Sequence, residues 1–383
     1  MKTAYIVLGL GYGDEGKGLV TDYLSNTLSG SRTVIRFSGG QQAGHTVKIG
    51  KKIHTYATFG SGTGRGIDTY VSEYCTFSPI HADNEHNVLI SKGFKPNLYI
   101  HPMTRITCPY DIAYGRVMDR INMHGSCGKG VGATMGRHEQ SPYKLYAIDL
   151  LHEDTFVSKI VQIGRFYGDK VKDLYGNWRE IYLHECAEAL KAHGAAMSSA
   201  FMKKLPGKIM DYQVLQSKYD HLIFEGSQGI QLDMDHGIFP HVTYSNTTSK
   251  NAIEICKKCG VNMRDVTIYY VTRCYQTRHG NGPFKHQNLG LINNKDEANV
   301  FNEWQLEFKT AELDYNLLDK SLMIDKYYSP EVGWRNLVVT CLDQRKDFKL
   351  NRSWVDGKFA VLLEGDNPES TSLKATPLIV EPV

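Results

Sequence analysis

A chain of 383 residues with 41% hydrophobic and 22% charged residues carries enough apolar material for a substantial core and too much for a disordered chain. Its formal net charge of +3 gives no general nucleic-acid surface. No stretch approaches the roughly 18 apolar residues of a membrane span, and the N-terminus lacks the basic-then-apolar pattern of a signal peptide, so a cytoplasmic protein with no membrane and no direct nucleic-acid partner is expected.

In chain order, short apolar runs end in glycine-rich or polar turns: AYIVLGLGYG, TVIRFSGGQQAG, HLIFEGSQG, VTIYYVTR and NLVVTCLD. Continuous β-branched and aromatic runs predict strands buried on both faces, and helices are predicted over 15–28, 179–193 and 248–259. The fold class expected is α/β: a mainly parallel central sheet with helices on both faces, plus irregular subdomains. One large domain covers 1–383, with a helical or irregular insert over 100–200, of which 130–180 reads as polar, aromatic and irregular. Eight scattered cysteines read as reduced packed thiols, and Cys256-x-x-Cys259 as a helix end closing on Gly260 rather than half of a zinc site. In open α/β sheets ligands sit beyond the carboxyl ends of the strands. Loops 11–18, 38–46, 225–229 and the segment from 343 onward therefore converge on one predicted site.

The first loop, GYGDEGKG, lies between a strand and a helix like a Walker A loop, but Gly18 stands where the magnesium-binding hydroxyl belongs. Gly11, Gly13, Gly16 and Gly18 let a ligand approach the backbone, amides at the helix N-terminus attract phosphate, and Lys17 adds a point charge. Asp14 is out of place beside a phosphate unless it binds metal or handles a proton, and either role answers the missing hydroxyl. In SGGQQAGHT, His45 can protonate or stabilise a phosphate oxygen; alone it reads more often as a surface or capping residue, and Asp14 in the same sheet-end cluster strengthens the catalytic reading. In FEGSQG, Gln228 offers an amide suited to a purine edge. Thr243, Ser245, Asn246, Thr247 and Thr248 form a polar cluster entering a helix, or simply a cap.

GDEGKG, G-x-x-AGHT, a G-x-x-G-x-G-x-G stretch, EG-x-QG, VT-x-SNTT and TR-x-G-x-GPF occur in this order. The series resembles the adenylosuccinate synthetases over roughly residues 3 to 290. The resemblance implies a carbon–nitrogen ligase in which a triphosphate phosphorylates O6 of a 6-oxopurine nucleotide and L-aspartate displaces that phosphate. It implies Asp14 as the base for the N1 proton, His45 and Lys17 on the transferring phosphoryl group, and Gln228 on the purine oxygen. Mg2+ would be held by Asp14 and the Gly44 carbonyl. Gly13, Glu15, Gly16, Lys17, Gly18, Gly44, His45, Thr46 and Asp343 would bind the triphosphate. Asp14, Gln42, Ser126, Cys127, Gln228 and Thr243 would bind the purine monophosphate. A homodimer is also implied, with Arg137 or Lys144 as substitutes for an arginine reaching the neighbour's nucleotide.

Departures are specific. Gln42 stands for the family's asparagine and Cys127 for one of two threonines. The arginine run after GPF is absent, leaving Gln305 and Lys309 as the expected aspartate contacts. Thr340-Cys341-Leu342-Asp343 lacks the lysine of the guanine-reading motif, and the segment LLEGDNPES at 362–370 stands in for a lost S-T-G-P. These features resemble the phage branch of the family, whose members convert dGMP rather than IMP and whose location is the host cytoplasm. ATP, dATP or GTP remain open as donor, and retention of Asp14 keeps IMP open as substrate. The rival readings are a P-loop GTPase, which Gly18 opposes, and a catalytically silent homologue, which the retained Asp14, Lys17, His45 and Gln228 oppose.

Overall fold

The computed structural model describes residues 2–122, 126–193, 207–291 and 307–378. It opens with β1 (Thr3–Gly9), α1 (Lys17–Thr27), β2 (Arg32–Arg36), a hairpin of β3 (His45–Ile49) and β4 (Lys52–Tyr56), and β5 (Asp68–Val71). β6 (Thr76–Phe77), α2 (Pro79–Ser91), β7 (Leu98–Ile100) and β8 (Arg105–Ile106) precede α3 (Pro109–Asn122), α4 (Val131–Gln140), α5 (Glu153–Lys170) and α6 (Trp178–His193). The sheet resumes with β9 (Lys208–Ile209), β10 (His221–Gly229) and β11 (Val266–Arg273), then the short β12 (Gln276–Arg278) and β13 (Lys309–Ala311). β14 (Trp334–Thr340), β15 (Val361–Glu364) and β16 (Lys374–Pro377) complete it.

Ten strands form one sheet in the order β16-β15-β14-β11-β1-β10-β2-β5-β7-β9. All neighbours run parallel except β15 and β16. β1 shows why its apolar run is continuous rather than alternating. Ile6 and Leu8 face a core shared with Ala252, Ile255, Leu318 and Leu322 on one side, while Val7 faces Leu19, Val20 and Leu24 of α1 on the other. Helices on both faces follow from that double burial.

Helices α3, α5 and α6 share a third core with the sheet residues Val71, Leu98 and Ile100. The stretch 130–180 is thus not irregular: it holds α4 and α5, whose helical period is broken up in the sequence by glycines and tyrosines. The helix expected over 15–28 starts later, at Lys17, because Gly16 has a left-handed φ of 97°. Gly260, at φ 71°, terminates the helix Lys250–Lys258 next to the buried thiols of Cys256 and Cys259.

Arg137 is not an arm toward a neighbouring subunit. Its guanidinium is fully buried against Asp111, with Nε to Oδ1 and Nη2 to Oδ2 both at 2.8 Å, and its remaining donors go to the carbonyls of Tyr143 and Ile106. Tyr167 also donates to Asp111 Oδ1. Removing one partner leaves the other charge buried and uncompensated, so Asp111→Ala is expected to destabilise the fold by about 3–5 kcal/mol in urea denaturation.

Candidate active site

The carboxyl ends of β1, β10, β11 and β14 lie side by side, and the loops that leave them enclose a cavity of about 440 Å³. Asp14, Lys17, Gln42, Gly44, His45, Gln228 and Asp343 all line it. So do Tyr12, Arg273, His279, Gln344, Asn367 and Pro368, which the sequence did not single out as site residues.

The first loop is built around Glu15. Its carboxylate accepts hydrogen bonds from the Gly11 and Gly13 amides, each at 2.9 Å, and meets Lys17 Nζ at 2.8 Å. Glu15 was expected among the triphosphate contacts, but its carboxylate points inward and is buried. Two amides and an ammonium satisfy it there, where a phosphate would otherwise find its donors. Asp14 takes the opposite direction. It is one of two non-glycine residues with positive φ among those described, at 62°, and its side chain faces the cavity. Gly18 is explained by contact: a Cβ there would lie 2.8 Å from His45 Cβ and 3.0 Å from Ser61 Oγ. The ordinary P-loop hydroxyl has no room because β3 crosses directly over the start of α1.

Asp14 is supported from two long-range partners. His279 Nδ1 lies 2.8 Å from Oδ2, and Arg273 Nε donates to the Asp14 carbonyl at 2.5 Å. Burial works against ionisation of this carboxyl, but the His279 hydrogen bond and the charges of His279, Arg273 and Lys17 outweigh it and hold the group below its ordinary range. On the opposite wall His45 Nδ1 lies 2.8 Å from Glu225 Oε1. Glu225 is fully buried, and its other oxygen accepts from the Ser61 amide at 3.1 Å and faces Arg36 at 3.6 Å. Burial opposes its charge, yet His45, Arg36 and Ser61 hold it down at about 2. Burial, with Arg36 and Lys17 nearby, pulls His45 below the usual histidine value despite Glu225.

Several polar atoms at the cavity wall have no protein partner: Nε2 and Oε1 of Gln42, Oε1 of Gln228, and Nε2 of His279. Buried polar atoms without partners are costly, and the three residues that carry these four atoms all line the cavity.

Other expected contacts lie elsewhere. Ser126, Cys127, Thr243 and Lys309 do not line this cavity. Ser126 Oγ accepts from the Gly128 amide, and burial pushes the Cys127 thiol up to about 11. The Thr243 amide is bonded to the Leu232 carbonyl. Lys309 Nζ donates to the Gly280 carbonyl at 3.0 Å, fixing the loop that carries His279. Gln305 lies outside the described residues. The place of Arg273 and His279 on the cavity wall was legible only as the unassigned positions of VTIYYVTR and TR-x-G-x-GPF.

A glycine-rich turn between a central strand and a helix, opening on a cavity at the carboxyl edge of a parallel sheet, is the architecture of α/β phosphate-binding proteins. The family model of adenylosuccinate synthetase matches residues 6–311. The adenylosuccinate synthetase of Clostridium botulinum (strain Alaska E43 / Type E3) is 32% identical over 305 residues, 74% of this chain and 65% of that protein. That of Thermodesulfovibrio yellowstonii is 30% identical over 288 residues, 73% of this chain and 64% of that protein. This chain belongs to the adenylosuccinate synthetase family, and spans slightly less than two thirds of the length of these relatives. Its fold is shared with the fully ligated adenylosuccinate synthetase of Plasmodium falciparum, at TM-score 0.62, 18% identity, and coverage of 98% of this chain and 87% of that one. It is shared equally with the succinoaminodeoxyadenylate synthetase of cyanophage S-2L, solved with dGMP and dATP, at TM-score 0.63, 14% identity, and coverage of 98% and 96%. Among the described residues no helix is long and apolar enough to cross a membrane.

Two consequences are measurable. Gly18→Ser restores the ordinary loop pattern yet must displace His45, so it is expected to cost about 1–3 kcal/mol of stability in urea denaturation. Glu225 is depressed in the fold, so its contribution is present above its ordinary value of 4.5 and is lost as pH falls toward about 2. The stability gap between the native protein and Glu225→Gln should therefore be widest above pH 4.5 and close on acidification.

Proposed function

We propose that the protein is a carbon–nitrogen ligase that joins L-aspartate to C6 of a 6-oxopurine nucleotide at the expense of a nucleoside triphosphate. The observation that carries this reading is the cavity itself. A carboxylate held ionised, an imidazole backed by a buried carboxylate, and unpartnered amides of Gln42 and Gln228 share one space with Lys17 and the start of α1.

In this reading Asp14 accepts the N1 proton as O6 attacks the γ-phosphorus, and the diphosphate leaves with the electron pair of the broken P–O bond. The aspartate amine then adds to C6 through its lone pair, the C6–O6 bond breaks with its pair leaving on phosphate, and the proton that the new C–N nitrogen sheds goes to that phosphate. His45 and Lys17 stabilise charge on the transferring phosphoryl group, and Gln228 fixes O6.

Among the described residues no three His, Cys, Asp or Glu side chains cluster into a self-contained metal site. Asp14 and Gly44 on the cavity wall nevertheless suit Mg2+, which is bound through one or two protein oxygens and completed by phosphate oxygens and water. When bound there, it neutralises charge on the phosphates.

The finer reading is that the purine is dGMP, giving N6-succino-2-amino-2'-deoxyadenylate, with ATP or dATP as donor. Support comes from the missing arginine run, Cys341 in place of the base-reading lysine, and Asn367 and Pro368 on the cavity wall from the altered 362–370 segment. IMP with GTP is the second reading, favoured by the retained Asp14 and by the 30–32% identity to bacterial adenylosuccinate synthetases.

Parallel incubations with L-aspartate, ATP or GTP, and dGMP, GMP or IMP, analysed by mass spectrometry, test the reading. A succinyl adduct, with phosphate released only when aspartate and purine are both present, is expected. Phosphate release without either would mark a simple triphosphatase. Asp14→Asn should lower kcat by about 10²- to 10⁴-fold; turnover at the native rate would refute the assigned role.

A further inference from the structure

Asp14 and Cys341 are the two non-glycine residues with positive φ among those described, each at 62°. Such turns cost a residue with a side chain energy and persist only where the surroundings fix them. Both lie on the cavity wall, on loops that leave different strands, β1 and β14. One chain of buried side chains runs between them. Arg273 Nε donates to the Asp14 carbonyl at 2.5 Å, and its Nη1 donates to the Tyr275 hydroxyl. That hydroxyl donates in turn to Gln344 Oε1 at 2.5 Å. The Gln344 backbone amide then closes the second turn on the Cys341 carbonyl at 3.0 Å. Arg273, Tyr275 and Gln344 are 4%, 1% and 2% exposed, so each of these bonds is shielded from water.

The direction of the bonds is forced. A guanidinium only donates, so the Tyr275 oxygen accepts from Arg273 and its single hydrogen goes to Gln344. Gln344 therefore turns its side-chain oxygen toward Tyr275, and the amide cannot flip without setting two donors face to face. Arg273 and Gln344 line the cavity, whereas Tyr275 stands behind them. A second tie, from Thr340 Oγ1 to the Glu15 carbonyl at 2.7 Å, holds the strand ends together without touching the Asp14 carbonyl or the Gln344 side chain. Removing the Tyr275 hydroxyl thus cuts the side-chain bridge and leaves that backbone tie in place.

We propose that Tyr275 is a positioning residue whose hydroxyl couples the Cys341 turn to the Asp14 turn, so that a triphosphate seated beside Asp343 and Gln344 steadies the carboxylate that meets the purine. The assignment rests on the ligase reading above and adds to it that the two nucleotide sites are not independent. Coupling of this kind is reciprocal: each nucleotide tightens the other by the same factor.

Isothermal titration calorimetry with dGMP and with IMP, each without and with saturating β,γ-methylene ATP or GTP, reads that factor. In the native protein the analogue should tighten the purine nucleotide by about 5- to 150-fold. Tyr275→Phe keeps the ring and removes only the hydroxyl, so the factor should fall below about two while the affinity for the purine alone changes less than about threefold. Gln344→Met cuts the same bridge at its far end and should lose the same factor. The double variant should lose no more than either single one, because members of one network do not add. A merely structural contribution would lower stability, or all affinities together, and leave the factor in place. If circular dichroism shows that Tyr275→Phe does not fold, Gln344→Met decides alone. A native protein without coupling, or a variant that keeps the native factor, overturns the assignment to Tyr275 while leaving the ligase reading intact. Failure of every 6-oxopurine nucleotide to bind or to give an adduct overturns both.

Discussion

The buried carboxylate of Glu15 sets the geometry on which the site depends. It takes the Gly11 and Gly13 amides and one donor of the Lys17 ammonium, which still lines the cavity. Gly9 leaves room for it, since a Cβ there would lie 2.2 Å from Glu15 Oε2 and the carboxylate would have to move. The chain then passes through left-handed conformations at Gly13, Asp14 and Gly16, and this sequence of turns places neighbouring carboxylates on opposite sides of one backbone. Strain at Asp14, a non-glycine residue in that region, is offset by its long-range partners Arg273 and His279.

Across the cavity two imidazole–carboxylate pairs use the same hydrogen bond in opposite senses. At His45 the carboxylate of Glu225 is hidden and the imidazole faces the ligand space. At Asp14 the carboxylate is the more exposed partner, and the imidazole of His279 stands behind and beside it. Different surroundings thus leave an imidazole as the cavity-facing partner of one pair and a carboxylate as that of the other. The missing hydroxyl at Gly18 belongs to the same design, because the space it would need is occupied by His45.

Much of this was readable from local sequence. The five apolar runs became adjacent or near-adjacent strands of the central sheet, and their glycine-rich ends located the cavity, because burial on both faces and close backbone approach both leave marks within a few residues. Asp14 and His279 are 265 residues apart, and no local pattern announces that pairing. Glu15 was misread for a related reason: a carboxylate in a phosphate-type loop shows which way it points only once the backbone dihedrals are known. Lys309 looked like a free cation in a stretch short of arginines, but pairing of β12 with β13 hands its charge to a backbone carbonyl. The helices of 130–180 were obscured because α4 buries Val131 and Met135 among the polar Thr134, Arg137 and His138, and α5 buries only Phe156, Ile163 and Tyr167, so neither shows a continuous apolar stripe.

The proposed chemistry makes the purine oxygen a leaving group by attaching a phosphoryl group to it, in a cavity where the phosphate loop and the Asp14 carboxylate face the same ligand space. The fate of that oxygen tests this most directly. With a purine monophosphate labelled with oxygen-18 at O6, L-aspartate and a triphosphate, the account predicts that the label appears in the inorganic phosphate released. Label recovered in water, with unlabelled phosphate, would contradict it.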